Sequence, residues 1–221
     1  MLVIAIDGPA GAGKSTIAQI IADKLDLLYI NTGAMYRAVT WQAIQEKIDL
    51  KDQGALAELT RRCNIIFRDN GKKIILNGVD VSREIRYPEV DKHISDIVKL
   101  PKVREIMVER QKQLGRIGNV ITEGRDVTTI VFPDADVKIY LDASLEERAK
   151  RRYLQFESKG HPLNQDQVKR ETARRDKADS SREHGPLRVA PDAITIDTTD
   201  KDIQQVVDEI IAIIKREVNA C

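Results

Sequence analysis

The chain has 221 residues, of which 42% are hydrophobic, enough for one or two domains with a real core. Its 36 Lys and Arg nearly cancel 35 Asp and Glu, leaving a formal net charge of +1. No bulk basic excess therefore drives attachment to nucleic acid or to acidic membranes, and neither is expected as a partner. The 32% of charged residues against 4% aromatics must cover the surface or line something polar.

The predicted elements alternate. A short apolar run, Leu2 to Ile6, reads as a strand buried on both faces. It leads directly into Gly8-Pro9-Ala10-Gly11-Ala12-Gly13-Lys14-Ser15, a full GxxxxGK[ST] motif. A helix over Lys14 to Leu25 follows, with Ile17, Ile20, Ile21 and Leu25 on one face. Further non-alternating runs at Leu27 to Ile30, Asn119 to Thr122, Val137 to Leu141 and Ala193 to Ile196 predict four more strands. Helical periodicity covers Val103 to Leu114, Leu145 to Gly160 and Ile203 to Val218. Strand followed by helix, repeated, predicts an α/β fold with right-handed crossovers around a parallel sheet. One stretch breaks the rhythm. Between Cys63 and Ser82, Asn64 to Phe67 and Lys73 to Leu76 flank Asp69-Asn70-Gly71, and Asn77-Gly78 marks a second turn; a small antiparallel β-insert is expected.

The glycine-rich motif in its strand-to-helix context carries the chemistry. Backbone N–H groups of such a loop turn inward around phosphate oxygens and the helix N-terminus adds partial positive charge. Lys14 is placed to reach the β- and γ-phosphates and Ser15 to offer its hydroxyl to Mg²⁺. ATP and Mg²⁺ are thus the expected cofactors, with residues from Gly8 to Thr16 as the donor site. The acceptor is not given by this loop, which GTPases, motor ATPases and small-molecule kinases share. The many arginines near strand ends and loops suit two phosphorylated ligands. His93, His161 and His184 sit beside no nucleophile, and no metal-ligand spacing emerges. A missing general base fits an acceptor that is itself a phosphate, whose second pKa of about 6 makes it a dianion at neutral pH.

Cys63 and Cys221 lie outside any metal-type spacing, which points to a reduced, cytoplasmic protein without a disulfide framework. The N-terminus lacks a basic region ahead of its apolar run, and no segment approaches the roughly 18 apolar residues of a membrane span.

With the loop, an ordered set of motifs resembles the bacterial cytidylate kinase family: Asn31-Thr32-Gly33-Ala34-Met35-Tyr36-Arg37, Glu123-Gly124-Arg125-Asp126, Val131-Phe132-Pro133-Asp134-Ala135, Arg175-Asp176, Asp179-Ser180-Ser181-Arg182 and Gly185-Pro186-Leu187. The resemblance implies a single nucleoside monophosphate kinase domain with a five-stranded parallel sheet. Its core would cover 1–31, 101–145 and 180–221, the NMP-binding lobe with its β-insert 32–100, and a helical lid 146–179. It implies transfer of the ATP γ-phosphoryl to CMP or dCMP, and the chain is expected to be a monomer. Matched position by position, Ser95, Arg104 and Asp126 would read cytosine and Arg175 and Asp179 would hold the sugar. Arg37, Arg125 and Arg182 would clamp the CMP phosphate, with Thr32 in the same pocket. Lys14, Arg125, Asp126 and Arg182 are the expected catalytic set, and Arg148, Arg151 and Arg152 would reach ATP phosphates from the lid. Two departures stand out: Asn31 replaces a frequent Asp, leaving Glu123 and Asp7 as acidic candidates near the metal, and Thr128 replaces a Gly. Kinases of UMP, AMP or shikimate remain open alternatives, as does a nucleotide-switched binding protein, although no NKxD guanine-reading segment is found.

Overall fold

The structure, a computed structural model, describes residues 1–158 and 164–219; His161, Gly160 and Cys221 lie outside the described residues. In chain order it runs β1 (Val3–Asp7), α1 (Lys14–Leu25), β2 (Leu28–Asn31), α2 (Thr32–Gln45), α3 (Gln53–Arg62), β3 (Ile65–Arg68), β4 (Lys73–Leu76), β5 (Val79–Asp80), α4 (Pro88–Ile97) and α5 (Pro101–Gly115). It continues with β6 (Val120–Glu123), β7 (Val137–Asp142), α6 (Leu145–Glu157), α7 (Gln165–Ser180), β8 (Ile194–Asp197) and α8 (Ile203–Asn219). Each expected strand is present within a residue or so of its predicted ends.

Five strands form a sheet in the order β2-β6-β1-β7-β8, every pair parallel. Both faces of the central strand β1 are covered, which is why Val3 to Ile6 reads as an unbroken apolar run, whereas β7 nearer the edge alternates buried and half-buried positions. On one face Ile4, Ile6, Ile121 and Ile139 pack with Ile17 and Ile21 of α1 and Val207, Ile210 and Ile214 of α8. On the other, Ile30 and Val120 pack with α2, α3 and α5 through Met35, Val39, Leu59, Val103 and Met107. Each fully buried Ile or Leu in these layers contributes roughly 1.5–3 kcal/mol.

The sheet brings three strand ends together. Ile6 pairs with Glu123 and Asn31 also pairs with Glu123, so the loop after β1, the start of α2 and the Gly124–Asp126 segment share one rim, the carboxyl edge where open α/β sheets bind ligands.

The insert is a three-stranded antiparallel sheet, β3-β4-β5, with Ile65 opposite Leu76 and Arg68 opposite Lys73. Its first turn docks on the core: Gln19 donates to the Asn70 carbonyl at 3.1 Å, Asn70 donates to Asp23 at 3.2 Å, and Lys72 pairs with Asp23 at 2.9 Å. Cys63 is a buried free thiol, pushed by burial up to about 11. No helix among the described residues is long and apolar enough to cross a membrane.

Candidate active site

A cavity of about 920 Å³ opens on this rim, at the large end for a pocket serving a single small ligand. One wall is made by Ala10 to Ile17, Arg151, Thr198 and Lys201 to Gln204. The opposite wall takes Thr32, Arg37 and Ser95, then Arg104, Arg125, Asp126, Arg175, Asp179 and Arg182. Ten Lys and Arg line it against six Asp and Glu, an excess of four cations in a chain whose whole excess is one. The near-neutral composition conceals a strongly cationic cleft.

The phosphate loop is built as its motif requires. Gly8, Gly11 and Gly13 have φ of 149°, 84° and 91°, and Gly13 ends the turn as the N-cap of α1. Gly8 and Pro9 stand behind the lining, the Pro9 carbonyl accepting from Lys14 Nζ at 2.7 Å. Lys14 is 4% exposed; burial, then the Arg125 and Arg175 charges, lower its amine from 10.5 to about 7. Ser15 Oγ donates to Glu123 Oε1 at 2.8 Å. Asp7, the other acidic candidate, is turned away. Its carboxylate accepts from Val127 N at 3.0 Å, Thr128 N at 2.7 Å and Thr128 Oγ1 at 2.6 Å, so its acceptor capacity is spent inside the protein. Burial raises it to about 6. The Thr128 departure thus has a structural use, anchoring the wide turn Val127–Val131, whose bonds run five residues back, onto the end of β1.

The acceptor wall is knit by paired charges. Arg104 and Asp126 form a buried ion pair, and Ser95 lines the same cavity. Gly185 lies against the pair: with φ +64°, it approaches so closely that a Cβ would overlap the Arg104 guanidinium and the Asp126 carboxylate. Asp179 accepts from Arg125 at 2.8 Å and from Arg182. Burial opposes its charge, but Arg125, Arg182 and Arg175 outweigh burial and hold its carboxyl below the usual range. Arg175 makes no hydrogen bond among the described residues, and burial with repulsion from Arg125 lowers it to about 10. Arg152 is similarly lowered, chiefly by burial, and its Nε is buried without a partner. Cations held close together, short of partners, form a site awaiting anions. Arg37 bonds the Ile85 carbonyl at 3.0 Å and pairs with Asp91 at its exposed edge.

One expectation is overturned. Arg148 does not face the cavity: it is 7% exposed and its guanidinium bonds the Ala143 carbonyl at 2.9 Å, the Ala10 carbonyl at 3.1 Å and Asp176 at 2.6 Å. Ser144 caps α6, and Arg148 in its first turn packs against Gly11 and bonds Ala10 of the phosphate loop; Arg148 braces the loop instead of contacting a nucleotide. Arg151 does line the cavity but is tied to Glu147 and to Thr198 Oγ1 and O. His93 bonds Glu89 at 3.1 Å and His184 is an exposed loop residue; neither lines the cavity.

Sequence comparison decides the family. The sequence model of cytidylate kinase matches residues 4–216. The chain belongs to the cytidylate kinase family. It is 51% identical over 218 residues to a cytidylate kinase of Bacillus subtilis (strain 168), covering 98% of this chain and 97% of that protein. It is 48% identical over 213 residues to a cytidylate kinase of Bacillus cereus (strain ATCC 10987 / NRS 248), covering 96% and 95%. Among solved structures, an uncharacterized protein from Eubacterium ventriosum ATCC 27560 superposes with a TM-score of 0.52 at 12% identity over 97% of this chain and 99% of that one, a likeness of fold alone. For a cytidylate kinase family member, the residues sequence reasoning missed are Gly185 as a packing partner of the Arg104–Asp126 pair and Arg148 as a brace. Local sequence gives no signal for either, because both act on residues distant in the chain.

Proposed function

We propose that this protein transfers the γ-phosphoryl of ATP to the phosphate of CMP and dCMP, serving pyrimidine nucleotide metabolism. The observation that carries the reading is the two-sided cationic cleft, lined by a phosphate loop and, away from it, by the Arg104–Asp126 pair. Cytosine offers an N4 amino donor next to N3 and O2 acceptors, and a carboxylate beside an arginine is its complement. Uracil presents O4 to the same carboxylate and leaves it unpaired, a mismatch worth at least about tenfold in selectivity.

In this reading Lys14 and the loop amides hold the donor phosphates, while Arg37, Arg125 and Arg182 hold the acceptor phosphate and Arg175 and Asp179 the sugar. Two anions would otherwise repel each other on approach, and the excess cations offset that repulsion while aligning the reacting oxygens. No side chain need act as general base, since the acceptor is already a dianion. Arg152, which lines the cavity with an unpartnered buried Nε and its guanidinium over the Phe156 ring, is placed in α6 to meet developing charge. Hydroxyl and carboxylate oxygens of Ser15 and Glu123 are the hard donors that suit Mg²⁺. Bound there with the donor phosphates, the ion would neutralise charge on the transferring group. Division into core, NMP lobe 32–100 and lid 146–179 belongs to the same proposal, as do a monomeric state and a cytoplasmic location. The test is ADP formation with CMP, dCMP, UMP, AMP and shikimate as acceptors. Fastest turnover with CMP or dCMP supports the reading; faster turnover with UMP, AMP or shikimate rejects it, and nucleotide binding without acceptor-stimulated turnover would favour a switch protein.

A further inference from the structure

Behind the phosphate loop lies a buried side-chain chain that the transfer chemistry above does not use. Tyr29 in β2 is 4% exposed. Its hydroxyl lies 2.9 Å from Asn31 Nδ2 and 3.3 Å from Glu123 Oε1, the same carboxylate oxygen that accepts from Ser15. The Asn31 cap sets the direction of its bond to Tyr29. Asn31 Oδ1 accepts the Ala34 N–H at 2.8 Å as the cap of α2, so its Nδ2 must be the atom facing Tyr29 and must donate. The phenol oxygen therefore accepts from Asn31, and its proton is left for the Glu123 carboxylate at 3.3 Å, with the Ser15 hydroxyl in contact beside it. An aspartate at position 31 would offer no such donor and would compete with Glu123 for that proton.

Tyr29 is fixed from the other side by the β-insert. Gly71, at φ +81° in the first insert turn, packs so closely that a Cβ would lie 2.8 Å from Tyr29 Cβ and 2.9 Å from Cδ1 and would overlap the Tyr29 carbonyl. The turn itself is tied to α1 through Gln19 and Asp23, the helix that begins with Lys14 and Ser15.

We propose that Tyr29 is a positioning residue for the metal-bearing end of the nucleotide site: set by Asn31 and by the Gly71 turn of the insert, it holds Glu123 against Ser15. With the Ser15 proton engaged by Glu123, the lone pairs of Ser15 Oγ are left to face the cavity. The insert thereby has a role beyond shaping the acceptor lobe. The inference rests on the kinase reading but is tested without the acceptor.

Isothermal titration of ADP, in excess Mg²⁺ and in EDTA, compares the wild-type protein with Tyr29→Phe, which keeps the ring and removes only the hydroxyl. Loss of a group that orients a metal ligand costs about 10-fold or more in metal affinity. Tyr29→Phe is therefore expected to bind ADP in EDTA as the wild type does, while the Mg²⁺-dependent gain in affinity shrinks about 10-fold. Glu123→Gln is expected to show the same loss, and the double variant no further loss. An unchanged Mg²⁺ gain in Tyr29→Phe, or equal losses with and without Mg²⁺, overturns the proposal, as does a wild type whose ADP affinity ignores Mg²⁺. A wild type that binds no ADP at all would instead overturn the kinase reading.

Discussion

Lys14 should take up a proton when nucleotide binds. In the free protein its amine is buried beside Arg125 and Arg175 and lowered from 10.5 to about 7, which corresponds to a penalty on the order of 5 kcal/mol on the charged form relative to a lysine in water. Nucleotide phosphates supply the missing anions and offset that penalty. At pH 8.5 an amine titrating near 7 is only about 3% charged, so binding of ADP should draw in close to one proton, and much less at pH 6. The sign for folding is the same in origin. Between about 7 and 10.5 the unfolded chain holds a proton on Lys14 that the folded one lacks, so this residue's contribution to the stability of the free protein improves as pH rises through that window. Titration calorimetry of ADP in two buffers of different ionisation enthalpy, at pH 8.5, gives the proton count directly. Lys14→Met should abolish the uptake. No uptake by the wild type at pH 8.5, or equal uptake by the variant, would refute the electrostatic argument.

Gly185→Ala should damage only the acceptor side. The added methyl overlaps the Arg104–Asp126 pair and the φ of +64° strains any L side chain by about 1–2 kcal/mol; kcat/KM for CMP should fall at least tenfold while KM for ATP holds, as initial rates would show. Arg148→Met strips two carbonyls and Asp176 of their donor. It should cost about 2–4 kcal/mol by denaturant unfolding and raise KM for ATP through the loosened loop; an unchanged midpoint would remove its bracing role.

The parallel sheet was legible because double-sided burial imposes an unbroken apolar run, as in β1, where Ile4, Ala5 and Ile6 are all buried. The insert was legible from its turn chemistry: Asp69, Asn70, Gly71, Asn77 and Gly78 all take positive φ. Helix α7 was not, because it buries only Val168, Thr172 and Asp179 and so carries no apolar stripe. At the site, the loop motif announced Lys14 and Ser15, and the resemblance placed the acceptor residues, all of which the fold brings to one cavity. What sequence could not separate was which arginine faces a ligand and which faces the protein. Arg148 and Arg152 lie one turn apart on α6, yet the first is consumed by carbonyls and Asp176 and the second keeps an unpartnered nitrogen. That difference depends on the Ala10 carbonyl, 138 residues away.

The most direct test of the central claim is the ratio of kcat/KM for CMP to that for UMP, measured in the wild type and in Asp126→Asn. An Asp126 carboxylate reading the cytosine amino group predicts a wild-type preference for CMP of at least about tenfold, and a ratio that moves toward UMP in the variant, whose amide can donate to O4. A wild-type ratio near one, or a ratio unmoved by the substitution, would contradict the assignment of the Arg104–Asp126 pair as the reader of the base.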